Sequence, residues 1–244
     1  MKSNLSLFIS ALSLAIVVLA ALGCIQPVEK IGPLQNETGV ASIRGAKTVN
    51  VQVVMGLGEL FLEGGAKDLM DANFIYNIAS WNPEVSYTTA NDEGSLAIKQ
   101  PAGGGASLSG DVKYKWIVRL NDTVPMNLSA ILGTGDASLR LGGMTLTGLD
   151  VKAGASNVTL NLSGPWKRDL DASIASGVGD LTIILPRNTG AIVDVRQGIG
   201  SIEAASGLVS RDDTFMNEAY GKTSNTLRVT VTSGVGNTRL WLGP

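Results

Sequence analysis

The chain has 244 residues, a formal charge of −2 and no histidine. A near-neutral, slightly acidic surface lacks the basic footprint that nucleic acid requires, and the missing imidazole removes the commonest general base, zinc ligand and pH switch. A single cysteine excludes an intrachain disulfide, and few aromatics beside 30 glycines fit thin strands joined by tight corners.

The N-terminus reads as an address followed by a tether. Lys2 gives a short basic start, Leu5 to Leu22 is almost wholly apolar, and Ala21-Leu22-Gly23-Cys24 closes the run. This resembles a lipoprotein signal peptide with its lipobox. There the small residue before cysteine permits cleavage, and the Cys24 thiol becomes the lipid-bearing terminus. An uncleaved anchor and a plain secretory signal are the other readings of such a segment, and all three put the bulk of the chain outside the membrane. Residues 1–23 are therefore read as signal peptide. Residues 24–46, with Pro27, Gly32, Pro33 and Gly39 and no sustained period, are read as a lipid-anchored tether.

Residues 47–100 read as an N-terminal β lobe. Thr48 to Leu62 alternates, turns at Gly56-Leu57-Gly58 and alternates again. Ala66 to Asp71 suits a short helical turn. Phe74, Tyr76 and Ile78 alternate, as do Val85 with Tyr87 and Leu96 with Ile98, separated by turn chemistry at Trp81-Asn82-Pro83 and Asn91-Asp92-Glu93-Gly94. Three or four antiparallel strands are expected, with a Pro/Gly/Ala/Ser hinge over Gln100 to Gly110.

Residues 111–244 carry one phrase repeatedly: an alternating apolar strand, Gly-x-Gly, a second alternating strand. The glycine pairs stand at Gly133/Gly135, Gly177/Gly179, Gly198/Gly200 and Gly234/Gly236, with a degenerate copy at Gly154-Ala155-Ser156. First glycines at 133, 154, 177 and 198 are 21, 23 and 21 residues apart, and fixed periods of this size mean stacked repeats. Counting from the first glycine, positions +4, +6 and +8 hold Val158, Leu160 and Leu162, then Leu181, Ile183 and Leu185. Positions −5 and −3 hold Leu149 with Val151 and Val229 with Val231, while Thr159, Thr182, Arg228 and Thr230 fall between. Period-two alternation marks strands with one wet face, and one copy cannot bury its apolar side without neighbours. The reading is all-β: a β-solenoid or closely related rolled sheet with repeats of 21–23 residues, with a β-sandwich of regularly spaced hairpins as the alternative. Gly207 to Thr226 interrupts the array as a polar insertion, expected to be a hairpin over one face, and lengthens the last spacing to 36.

The run Trp116-x-Val118-x-Leu120, Val124-Pro125-Met126-x-Leu128 and Gly133-x-Gly135-x-x-x-Leu139-x-Leu141, with the later Gly-x-Gly copies, resembles toast-rack domains. These are all-β repeat domains of cell-envelope proteins, including LiaF-type stress-response regulators and adhesin-like proteins. Met55-Gly56-Leu57-Gly58-Glu59-Leu60, Gly64-Gly65-Ala66 and Trp81-x-Pro83-Glu84-Val85-x-Tyr87 resemble the segment that often precedes the domain. Phe215-x-Asn217 and Tyr220-Gly221 suit the insertion before its last strand. The resemblance implies a single-stranded right-handed β-helix and a role in envelope adhesion or sensing, without catalytic residues. Ser156 departs from it, standing where the second glycine would be.

Three residues after each first glycine stand Glu59, Asp136, Asn157, Asp180, Ser201 and Asn237. Short polar side chains there satisfy corner backbone groups. A calcium site is the sharper alternative, but one column offers too few oxygens for an ion that takes six to eight. Asp136 and Asp180, two rungs apart, could pair as catalytic acids, but nothing converges on them. The Gly-x-Gly copies precede strands and not helices, so they are not nucleotide loops. Sequons occur at Asn4, Asn36, Asn121, Asn127, Asn157 and Asn161, of which Asn4 lies in the signal. Together these give a lipid-anchored cell-surface protein that binds an unidentified envelope protein or polymer and is non-enzymatic, with no cofactor, metal or catalytic residue. An accessory sensor of envelope stress, relaying to a membrane partner, and a carbohydrate-active β-helix enzyme are the alternatives.

Overall fold

A computed structural model describes residues 30–101 and 110–244; the signal peptide and Cys24 lie outside the described residues. Seen in chain order, β1 (Gln35–Ala41) and β2 (Thr48–Gly64) are followed by β3 (Met70–Tyr76), a 3-10 turn at Ala79–Trp81, β4 (Glu84–Ala90), β5 (Glu93–Lys99) and β6 (Tyr114–Leu120). The long strands β7 (Met126–Arg140) and β8 (Leu146–Asn161) come next. Then the arms separate into β9 (Leu170–Val178) with β10 (Leu181–Leu185) and β11 (Gly190–Ile199) with β12 (Ile202–Ala204). A hairpin, β13 (Leu208–Arg211) and β14 (Thr214–Asn217), precedes β15 (Thr226–Val235) and β16 (Thr238–Leu242). All sixteen strands among the described residues belong to one open sheet.

Alternation explains the strands. In β7, Met126, Leu128, Ala130 and Leu132 point inward before the corner and Ala137 and Leu139 after it, all buried, while Asn127, Asp136 and Arg140 are exposed. Each copy thus bends at its glycines into two arms, and successive copies pair in parallel and in register: Leu139 opposite Leu160, Leu160 opposite Ile183, Ile183 opposite Leu240. The copies pair with one another in parallel and not as the two strands of a hairpin. Two rows of inward side chains close on a common core, so each rung is stable only because its neighbours cover it.

The order of the rungs is not the order of the chain. β15 lies between β9 and β11, and β16 between β10 and β12, so the final copy is inserted inside the stack. Outward charges match this order. Arg239 reaches Asp180 on one side at 2.8 Å and Glu203 on the other at 3.6 Å, and Arg228 sits 3.1 Å from Asp169 and 3.8 Å from Asp171. Buried Thr238 donates to the Gln197 side-chain oxygen at 2.7 Å, tying the inserted corner to the rung beyond it.

Several boundaries differ from the sequence reading. Gln35–Ala41, expected within the tether, is strand β1, held antiparallel against β3. The expected lobe at 47–100 and the array share one sheet, because β2 is itself a rung paired along its length with β7. Its neighbours are mixed and not all antiparallel: β5 and β6 run parallel to β2, while β4 and β3 run antiparallel to them. No helical turn forms at Ala66 to Asp71. That stretch bends so that Asn121 can bond the Ala66 and Asp68 carbonyls, and Met70 already begins β3. The insertion does make a hairpin, but β14 adds to the sheet edge beside β11 and covers no face.

Candidate functional site

The corners carry a regular surface. The residue between the two glycines points outward in each rung, so Leu57, Thr134, Ala155, Val178, Val235 and Ile199 follow one another along the stack. Four of these are large, apolar and open to solvent: Leu57 at 38% exposure, Val178 at 54%, Val235 at 44% and Ile199 at 71%. Flanking glycines leave no side chains to screen them. With rungs about 4.8 Å apart, six rungs make a ridge roughly 24 Å long.

Close stacking fixes the glycines. Gly135 has φ of +132°, and a Cβ there would run into the Gly58 carbonyl oxygen of the preceding rung. Ser156 shows the alternative solution. Its backbone stays at negative φ, and its hydroxyl donates to the Gly133 carbonyl at 3.2 Å.

Beside the ridge runs a polar column. The Asn157 amide nitrogen donates to Asp136 at 3.0 Å, and the Asn157 oxygen accepts the Asp180 backbone N–H at 3.1 Å. Asp180 accepts the Asn237 backbone N–H at 3.0 Å, and Asn237 accepts from the Ser201 hydroxyl at 2.9 Å. Each side chain therefore serves the rung beside it, which is the corner-satisfying role. The Asn237 N–H, followed by the Arg239 guanidinium, holds the Asp180 carboxyl below the usual carboxylate range. Asn157 stands between Asp136 and Asp180, and Arg239 occupies Asp180, so the two acids do not converge on a shared space. Among the described residues no three acidic, histidine or cysteine side chains group as metal ligands.

At the β2 end the ridge opens into a groove of about 380 Å³. Leu34, Leu57, Ile75, Val112 and the Tyr114 ring give it an apolar lining; Lys113, Lys115, Glu59 and Asp136 stand around it. Leu34 is 63% exposed. The apolar surface continues across the outer face of the sheet through Phe61, over whose ring Lys115 lies at 4.4 Å, and Ile117. Sequence reasoning did not single out this groove, because its walls come from five separated segments. Ile75 and Val112 look like ordinary strand residues until β3, β6 and the corners of β2 and β7 meet.

The sequons are scattered. Asn36 and Asn127 are exposed on β1 and β7. Asn157 is committed to the column, and Asn161 accepts the Ser163 N–H and hydroxyl. Asn121 is buried, its nitrogen donating to Asp68 and Ala66 and its oxygen accepting from Thr123 and Val124. In the folded chain that nitrogen is thus occupied by two backbone carbonyls. No helix among the described residues is long and apolar enough to cross a membrane.

Residues 30–184 match the family model described as N-terminal domain of toast_rack, DUF2154. The chain belongs to the toast-rack family. Among solved structures, this toast-rack chain is similar to a "putative cell adhesion protein" from Clostridium sporogenes at 29% identity. That alignment covers 86% of this chain and 100% of that one, with a TM-score of 0.83. A "putative adhesin" from Bacteroides fragilis aligns over 88% of this chain and 99% of that one, at 14% identity and a TM-score of 0.36. No curated protein matches the sequence.

Proposed function

We propose that this toast-rack chain is a lipid-anchored, non-enzymatic binding module on the outer side of the cell envelope, and that the corner ridge is its contact face. The ridge is the observation that carries the reading. Val178, Val235 and Ile199 contribute nothing to the core, yet large apolar side chains recur at the outermost point of the rungs. Exposed apolar surface of this regularity fits a contact surface. The polar column beside it is spent on its own backbone, and the Clostridium sporogenes relative is described in terms of cell adhesion. On this reading the rungs form a single-stranded right-handed β-helix that serves as a stiff rod, and Cys24 carries the lipid that holds the rod to its membrane.

Retention of the chain on isolated envelope fractions tests the ridge. Val178→Ser, Val235→Ser and Ile199→Ser combined should lower retention at least about tenfold, since each apolar side chain buried contributes well over a kilocalorie. Unchanged retention would remove the ridge from the reading. Fractionating cells that express Cys24→Ser tests the anchor: full membrane association and normal processing of that variant would rule out lipidation.

A further inference from the structure

We propose that the apolar groove beside Leu57 is a seat for the lipid surface to which the chain is tethered. This rests on the anchoring reading above and adds where the folded domain meets the bilayer. The first described residue, Lys30, follows Cys24 by six positions, so a fully extended link spans at most about 20 Å. The chain then enters the fold at the groove itself: Ile31 packs against the core, and Leu34, four residues after Lys30, forms part of the groove wall. Of the apolar surface described, this patch is therefore reached by the shortest path from the anchor.

Its chemistry suits lipid. Leu34 and Leu57 project into solvent, Ile75 and Val112 line the space between them, and Phe61 and Ile117 extend the same surface outward. Lys113 and Lys115 sit at the rim on long stems, where an ammonium stays among headgroups while its methylenes follow the apolar surface. Acids balance these charges, with Asp111 3.0 Å from Lys113 and Glu59 3.7 Å from Lys115. The groove therefore calls for a zwitterionic surface as readily as an anionic one. Two projecting leucines bind weakly by themselves. Tethering makes the second contact intramolecular and raises its effective concentration, so a weak seat suffices.

The solitary cysteine makes the test direct. The chain from Cys24 onward, which contains every described residue, is coupled through its thiol to maleimide-headgroup lipid in phosphatidylcholine vesicles. This step bypasses processing in cells, so failure of lipidation and failure of the seat are read separately. Leu57→Trp is compared in vesicles with and without brominated acyl chains, against Val209→Trp, an exposed position on the β13–β14 hairpin. The expected result is loss of the added emission at position 57 and none at 209, and Leu34→Glu should abolish the loss at 57. Uncoupled chain with Leu34→Glu and Leu57→Glu should partition at least about tenfold less onto the same vesicles than uncoupled wild type. Equal quenching at 57 and 209, or none at either, overturns the proposal. So does emission from 57 that is blue-shifted without lipid and unquenched with it, which would mean that residues 25–29 of the chain occupy the groove.

Discussion

Replacing Gly135 by alanine probes whether the corners are set by the close approach of rungs. Two costs are expected. The backbone there has φ of +132°, and holding an L-residue in such a region costs about 1–3 kcal/mol. The new methyl group would also meet the carbonyl of Gly58, whose own rung is fixed by β6 on the far side, so neither rung can yield without disturbing a register. Overpacking of that kind adds about 1–3 kcal/mol. Gly65→Ala is the matched control: φ is +101°, but nothing lies within 4 Å of its Cβ, so only the backbone cost applies. Loss of unfolded-state freedom favours both variants by similar amounts and cancels in the comparison. Gly135→Ala should therefore lose about 1–3 kcal/mol more than Gly65→Ala, read as the difference in urea midpoint at constant m. Equal losses would mean that the rungs are free to part at the corner, and the account of the glycine column would be wrong.

Further outcomes follow from the same geometry. Ile183→Ala removes methyl groups from a site with no solvent exposure and should cost about 2–5 kcal/mol, whereas Thr182→Ala, one position along and half-exposed, should stay within about 0.5 kcal/mol by denaturant titration. Asn217→Ala should destabilise by about 2–4 kcal/mol, because that buried amide donates to the Pro186 and Thr189 carbonyls and accepts the Ala191 N–H. Asp180 has a folded pKa below its ordinary value of 3.8, so its contribution is complete above that value and is lost as pH falls through the lower folded one. Midpoints measured at about pH 5 and about pH 3 should converge more in Asp180→Asn than in wild type, and an unchanged gap would dissociate Asp180 from acid sensitivity.

The strands were legible in the sequence because burial here is written in a period of two. Leu160, Ile183 and Val231 announce themselves as inward, and Thr159 and Thr230 as outward, without knowledge of any neighbour. The polar column was legible for the same reason, since its members share an offset from the glycines. Partner choice was much less visible. Every rung presents nearly the same apolar rows, so the inward pattern fits β11 beside β9 as well as it fits β15 there. The discriminating signal lies on the wet face, in Arg228, which pairs with Asp169 and Asp171 of one flanking rung, and in Arg239, which pairs with Asp180 on one side and Glu203 on the other. The burial of Asn121 was hidden for a related reason: Asn-x-Thr is a local pattern, while the burial depends on Leu69 and Ala66, more than fifty residues away.

The inserted rung also bears on how the molecule comes into being. β9 with β10 and β11 with β12 emerge first, and each presents an unpaired edge toward the place that β15 and β16 will fill. Those two edges carry similar apolar rows, so any premature closure between them would have to reopen before the final rung could enter. β14 docks on the opposite side of β11, and Asn217 clamps the loop from Pro186 to Ala191, so the hairpin leaves the edge facing the gap free. A chain folding from its N-terminus would thus hold a vacant slot until its last strands arrived. Any extended segment of similar pattern arriving earlier, including the same segment from a neighbouring copy, would compete for it.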